Sequence, residues 1–219
     1  MVQTNIVSPR PLPSLLVCNR QKARRLNLPL VRRLVRRLVE QASAPSGPRG
    51  AKERMRQSSV AGTPRRGVRS VPPAVPPDSL APIPDRTPRE NLHPGGQLAV
   101  YFVCAAEMAR LNEQFLGHAG STDVLTFNYQ EGPAPGDWCG EIFVSVDDAV
   151  ASAPRFRASW QLELARYLVH GVLHLRGYED GRAAARREMK REENRVLKAL
   201  SRSFDWSKLE RRKHGTRRK

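Results

Sequence analysis

The chain predicts an α+β fold, a sheet of about four strands packed with helices. Three observations predict it: four apolar or alternating runs of strand length, four segments with helical apolar spacing, and an abrupt change of texture between residues 43 and 95. Only 39% of the 219 residues are hydrophobic, which is low for a chain that is globular throughout. The compact core is therefore expected to be smaller than the chain.

The elements follow in order. Residues 14–21 (SLLVCNRQ) read as a short strand, and residues 27–42 as a helix with Asn27 near its N-cap and Pro29 in its first turn. Leu30, Val31, Leu34, Val35, Leu38 and Val39 recur at helical spacing, which gathers Arg32, Arg33, Arg36 and Arg37 on the opposite face, where they are candidates for gripping a phosphate backbone. From 43 to 95 lie eleven of the 18 prolines, with Gly, Ser and Arg and no apolar period. Such a segment buries too little apolar surface to offset its ordering entropy, so a disordered basic linker is expected there, inserted into the domain. Residues 97–104 read as a strand and 105–117 as a short helix ending at Gly117. Strands are expected at 122–129 and 140–148, an apolar helix at 160–175 stopped by Gly177, and a charged helix at 182–200 whose buried stripe is Met189, Val196, Leu197 and Leu200. The domain is thus expected to comprise 14–42 and 96–204, with 205–219 a basic tail.

The net charge of +17 implies a polyanionic partner, because neutralising phosphates releases counterions. Residues 21–41 carry seven Arg/Lys against one Glu, residues 43–95 nine against four acids, and residues 205–219 seven against two. The remainder is nearly neutral, so basic segments flank a neutral core. Anionic membrane binding competes with RNA as a reading of the arginine-rich helix. There is no apolar run of about 18 residues, and the stretch before Cys18 is too short for a signal peptide, so a cytoplasmic location with no membrane partner is expected. Cys18, Cys104 and Cys139 are odd in number and far apart, which argues against a disulfide framework and a thiolate cluster; they are expected to be reduced, at least two of them in the core.

The chemistry concentrates in residues 170–181, HGVLHLRGYEDG. His170 and His174 lie four apart and so on one helix face, and Gly177 allows the chain to turn back and offer Asp180 to the same ion. Imidazole and carboxylate are ordinary zinc ligands, and a catalytic site takes three protein ligands with one position open. A pair of half-buried histidines without a metal is the competing reading of the residues alone; manganese and nickel also suit this donor set. The spacing is that of metzincin proteases, but Gly171 stands where their general base would be, which argues against peptide hydrolysis.

The segment also resembles the signature H-G-x-L-H-L-x-G-Y-D-H of YbeY-type metal-dependent endoribonucleases of bacteria, matched by His170, Gly171, Leu173, His174, Leu175, Gly177 and Tyr178. Upstream, LNEQF (111–115), TDVLTF (122–127) and GEIFVS (140–145) resemble that family's other blocks in the same order. The resemblance spans roughly 14–42 and 96–204. It implies a YbeY-like metalloprotein fold and a single-strand-preferring endoribonuclease, a hydrolase of phosphodiester bonds. It further implies a role in small-subunit rRNA 3′-end maturation and ribosome quality control, with one zinc ion per chain on His170, His174 and Asp180. The implied partners are RNA, chiefly rRNA and the small ribosomal subunit, and ribosome-associated proteins. Asp180 replaces the family's third histidine, with Glu179 an alternative ligand, and Leu116 falls where the family usually has an arginine; Arg110 and Arg176 are the nearest substitutes. Glu141 is a candidate for orienting a ligand from the strand that it opens. Asp123 is expected to be structural. No catalytic residue is assigned. An RNA- or ribosome-associated binding protein with a weakened nuclease site is the alternative.

Overall fold

The structure, a computed structural model, describes residues 12–43, 96–129 and 138–211. Its order is β1 (Ser14–Asn19), α1 (Leu28–Ser43), β2 (Gly96–Val103), α2 (Ala105–Leu116), β3 (Val124–Asn128), β4 (Trp138–Ser145), α3 (Val146–Ser152), α4 (Trp160–Leu175) and α5 (Ala183–Ser201), with short 3-10 turns at Ala153–Phe156 and Trp206–Leu209. The sheet runs β1-β2-β4-β3; β1, β2 and β4 are mutually parallel and β3 pairs antiparallel with β4. The α+β expectation holds. The segment expected to be an inserted linker, 43–95, lies outside the described residues apart from Ser43, which ends α1.

Alternation along the strands assigns the two sheet faces. Val100, Phe102, Ile142, Val144 and Val124 join α1, α4 and α5 in the larger core; Tyr101, Val103, Phe143, Leu125 and Phe127 pack against α2 on the other side. On α1, Val31, Leu34, Val35, Leu38 and Val39 are all nearly inaccessible, a gross contribution on the order of 10 kcal/mol at ~2 kcal/mol each before entropy is counted. Asn27 caps this helix as expected, its Oδ1 accepting from Leu30 N at 3.5 Å.

Three expectations are corrected. The run 140–148 is not strand throughout: Ser145 accepts a hydrogen bond from Asp148 N and opens α3, with Asp147 and Asp148 in its first turn. This cap, with two carboxylates at the helix N-terminus, outweighs the strand propensity of the preceding valines. The basic segment at 205–219 is not a free tail from its first residue. Leu209 is buried, Leu26 bridges to Glu210, and Asn27 N and Arg211 N donate to Leu209 O and Arg25 O at 2.8 and 2.7 Å. Finally, all three cysteines are free but only half-buried, at the edge strand β1, the N-cap of α2 and strand β4. Among the described residues no helix is long and apolar enough to cross a membrane.

Candidate metal centre

Helix α4 lies along β3 and β4, and its fit explains the glycine between the histidines. A Cβ on Gly171 would stand 2.8 Å from Ile142 Cγ2 and 3.1 Å from Val124 Cγ2, so any side chain there collides with the sheet. This contact directs one helix face into the core and leaves His170 and His174 on the flank, half-buried. The helix ends at Leu175 with Arg176 as its C-cap, and Gly177 adopts the left-handed conformation expected of it, with φ of 81°. The reversal brings Asp180 back against the histidines.

The three groups converge. His170 Nε2 and His174 Nε2 are 3.1 Å apart, and Asp180 Oδ2 lies 3.9 Å from His170 Nε2. One ligand atom from each residue falls within 4.8 Å of the others, and this is the cluster of at least three such donors that the described residues contain. Two imidazole nitrogens at ~2.0–2.1 Å from a tetrahedral ion stand about 3.3 Å from each other, so the separation suits a shared ion.

A hydrogen bond sets the tautomer of one ring, and a nearby carboxylate biases the other. His174 Nδ1 lies 3.0 Å from the Tyr178 carbonyl, which only accepts, so Nδ1 carries the proton and Nε2 presents a lone pair. His170 Nδ1 lies 3.7 Å from Glu193 Oε2, a carboxylate that favours the proton on that nitrogen. With that proton on Nδ1, both Nε2 atoms turn lone pairs to one space and can share a cation. Burial, reinforced by the neighbouring His170, lowers the His174 pKa to about 4 against the opposing pull of Asp180 and the Tyr178 carbonyl. The ring is therefore neutral, the form that ligates.

Glu193 belongs to a chain of charges between α4 and α5. Arg166 donates to Glu193 at 2.7 Å and to Glu163 at 3.3 Å, and Lys190 Nζ donates to Glu193 at 2.7 Å. Burial pushes the Glu193 carboxyl up, but the hydrogen bonds from His170, Lys190 and Arg166 together hold it at about 2. Arg186 Nε donates to the Asp180 carbonyl at 3.0 Å, which places a guanidinium beside the third candidate ligand.

Other sequence-predicted residues fall elsewhere. Glu141 sits on the opposite sheet face from α4, where Tyr101 and Tyr129 hydroxyls donate to it at 3.4 and 3.0 Å, so it does not orient a histidine. Glu179 is exposed and outside the cluster. Leu116 packs against the α2-side core, an apolar role in place of an arginine's. Arg110 lies on α2 across the sheet, and Arg176 stacks over Trp138 at 5.3 Å. Asp123 is structural, accepting from Val124 N at 3.1 Å. Arg32, Arg33, Arg36 and Arg37 all lie exposed on the outer face of α1. Sequence reading missed Glu193, Arg166 and Arg186. Periodicity could have found the first two, since Glu193 falls between Met189 and Val196 on the buried stripe of α5.

A family model for endoribonuclease YbeY matches residues 84–201. The endoribonuclease YbeY of Salinibacter ruber is 40% identical over 97 residues, covering 42% of this chain and 62% of that protein. The protein of the same name in Chlorobium phaeovibrioides is 42% identical over 93 residues, 42% of this chain and 61% of its own length. The chain thus spans about three fifths of the length of these two relatives. The corresponding protein of Chlorobaculum tepidum is 40% identical over 103 residues, 47% of this chain and 72% of its own. A solution structure from Thermotoga maritima aligns over 93% of this chain and 99% of its own, at 20% identity and a TM-score of 0.47.

Proposed function

Because the chain belongs to the endoribonuclease YbeY family, we propose that it is a metal-dependent, single-strand-preferring endoribonuclease that acts in small-subunit rRNA 3′-end maturation and ribosome quality control. Its substrate is RNA, chiefly rRNA, and its working place the cytoplasm. The observation that carries the reading is the convergence of two imidazole Nε2 atoms 3.1 Å apart with the Asp180 carboxylate beside them. Zinc best matches this His/His/Asp set, and one ion when bound supplies Lewis acidity, polarising a phosphoryl oxygen and acidifying water at its open position.

The protein's own residues do the rest. Tyr178 O holds His174 Nδ1–H and so aims Nε2; Glu193, fixed by Arg166 and Lys190, does the same for His170. Asp180 adds a negative charge that a third histidine would not, which lowers the acidity of the ion relative to a three-histidine site. Arg186, whose Nε donates to the Asp180 carbonyl, neutralises a phosphate in this reading, the role that Leu116 leaves open.

The test combines metal analysis with cleavage of single-stranded RNA. One equivalent of zinc, and cleavage that EDTA and His170→Ala abolish, is the expected result. RNA binding without cleavage would favour the alternative, a binding protein that keeps the fold, for which the apolar packing of Leu116 is the supporting observation.

A further inference from the structure

A second basic surface lies away from the metal centre. The loop between β1 and α1 and the segment from the 3-10 turn at Trp206–Leu209 to Arg211 border an open cleft of about 530 Å³, lined by Lys22, Arg24, Arg25, Ser207, Glu210 and Arg211. The cleft is built rather than incidental. The buried Gln21 amide clamps the loop, its Nε2 donating to Arg24 O and its Oε1 accepting from Arg24 N, both at 2.9 Å. The far wall is tied on by the Leu26–Glu210 bridge and by Arg211 N donating to Arg25 O. Arg24 pairs with Glu210 at 3.7 Å and stacks over Trp160 at 5.5 Å. Lys22, Arg25 and Arg211 are exposed and form no ion pair among the described residues, so three cations face an opening with its one carboxylate already matched.

Helix α4 measures how far this cleft is from the histidines. Trp160, under Arg24, begins the helix, while His170 and His174 lie ten and fourteen residues further on, about 15–21 Å at ~1.5 Å per residue. At ~3.4 Å per stacked nucleotide that span is about five nucleotides. We propose that the Lys22/Arg25/Arg211 cleft is a phosphate-binding exosite that holds the RNA backbone about five nucleotides from the scissile bond. The site rests on the RNA-cleaving reading for its substrate, though not on the metal for its binding. Its cations contact phosphates alone and carry no base preference.

The experiment uses the full chain loaded with zinc and compares it with the triple variant Lys22→Ala, Arg25→Ala, Arg211→Ala. Binding of a cleavage-resistant 20-nucleotide phosphorothioate RNA is measured across salt concentrations, and steady-state cleavage of a 20-mer and of a tetranucleotide is followed in parallel. Three lost phosphate contacts lower the slope of log affinity against log salt by about 2, at ~0.7 per contact for a single strand. The 20-mer is expected to bind at least tenfold more weakly with a raised KM and unchanged kcat, the tetranucleotide to be processed as before, and the three-lysine variant (Arg25→Lys, Arg211→Lys) to bind like the native protein. Unchanged 20-mer affinity and slope would overturn the proposal, as would equal losses on both lengths, or loss of binding to anionic phospholipid vesicles with RNA binding intact. A native protein that binds the 20-mer through this cleft and never cleaves it defeats the nuclease reading alone.

Discussion

The geometry of the candidate metal centre rests on two side chains outside its donor set. Glu193 and Arg166 hold the His170 ring, and removing either leaves the donor set intact while freeing its orientation. Glu193→Gln is expected to weaken zinc binding about 10–100-fold, measured by competition with a chromophoric chelator, with a smaller loss of stability than Arg166→Ala. The latter leaves Glu193 and Glu163 buried without their shared guanidinium and costs about 3 kcal/mol or more in chemical unfolding. His174 sets an acid limit on the metal-free protein. Its folded pKa of about 4 is below the ordinary 6.5, so the unfolded chain binds more protons between those values. The contribution of His174 to stability is full above pH 6.5 and is lost as the pH drops through 4; His174→Asn is expected to flatten that part of the curve in urea titrations. The histidine pair and Asp180 were legible in the sequence because their spacing is local. Glu193 was legible only as a buried position on the stripe of α5; its approach to His170 was not, because that contact joins two helices.

At the scale of elements, Gly171 shows how packing decides chemistry. The helix that carries the histidines lies so close to β3 and β4 that a glutamate at position 171 has no room, whatever its catalytic merit elsewhere. Gly171→Glu is expected to cost on the order of 4 kcal/mol or more, through overpacking and a buried carboxylate, and to lower the thermal midpoint by at least ~10 °C. The four strands and the long helices were readable because their apolar periods are unbroken over a strand's or helix's length. Helix α3 was hidden because it follows β4 with no intervening loop, and a single hydroxyl cap changes the backbone at Ser145. Glu141 was misplaced for a related reason: the strand was found, but which of its faces meets α4 depends on the register with β2 and β3.

Across the whole molecule, charge and fold are divided. The parallel pair β1 and β2 is joined through α1, a connection that ordinarily needs only ~2–6 residues after its helix, yet residues 44–95 intervene. We expect replacement of 46–93 by a short Gly/Ser linker to leave the thermal midpoint within about 2 °C, while RNA affinity weakens and its salt dependence flattens. A large fall in midpoint would show that the segment packs. The expectation of an insertion at 43–95 rests on composition alone, and residues 44–95 lie outside the described ones, whereas the packing of residues 205–211 was obscured by their basic side chains, which mask Leu209. That closure has a consequence for biosynthesis. Asn27 donates to the Lys208 carbonyl across 181 residues of chain, and the carboxylate behind His170 lies on α5. A ribosome has therefore made both histidines before it makes Glu193, and nearly the entire described chain before the loop at 20–27 is sealed. A nascent chain therefore carries both imidazoles before the carboxylate beside His170 has been made.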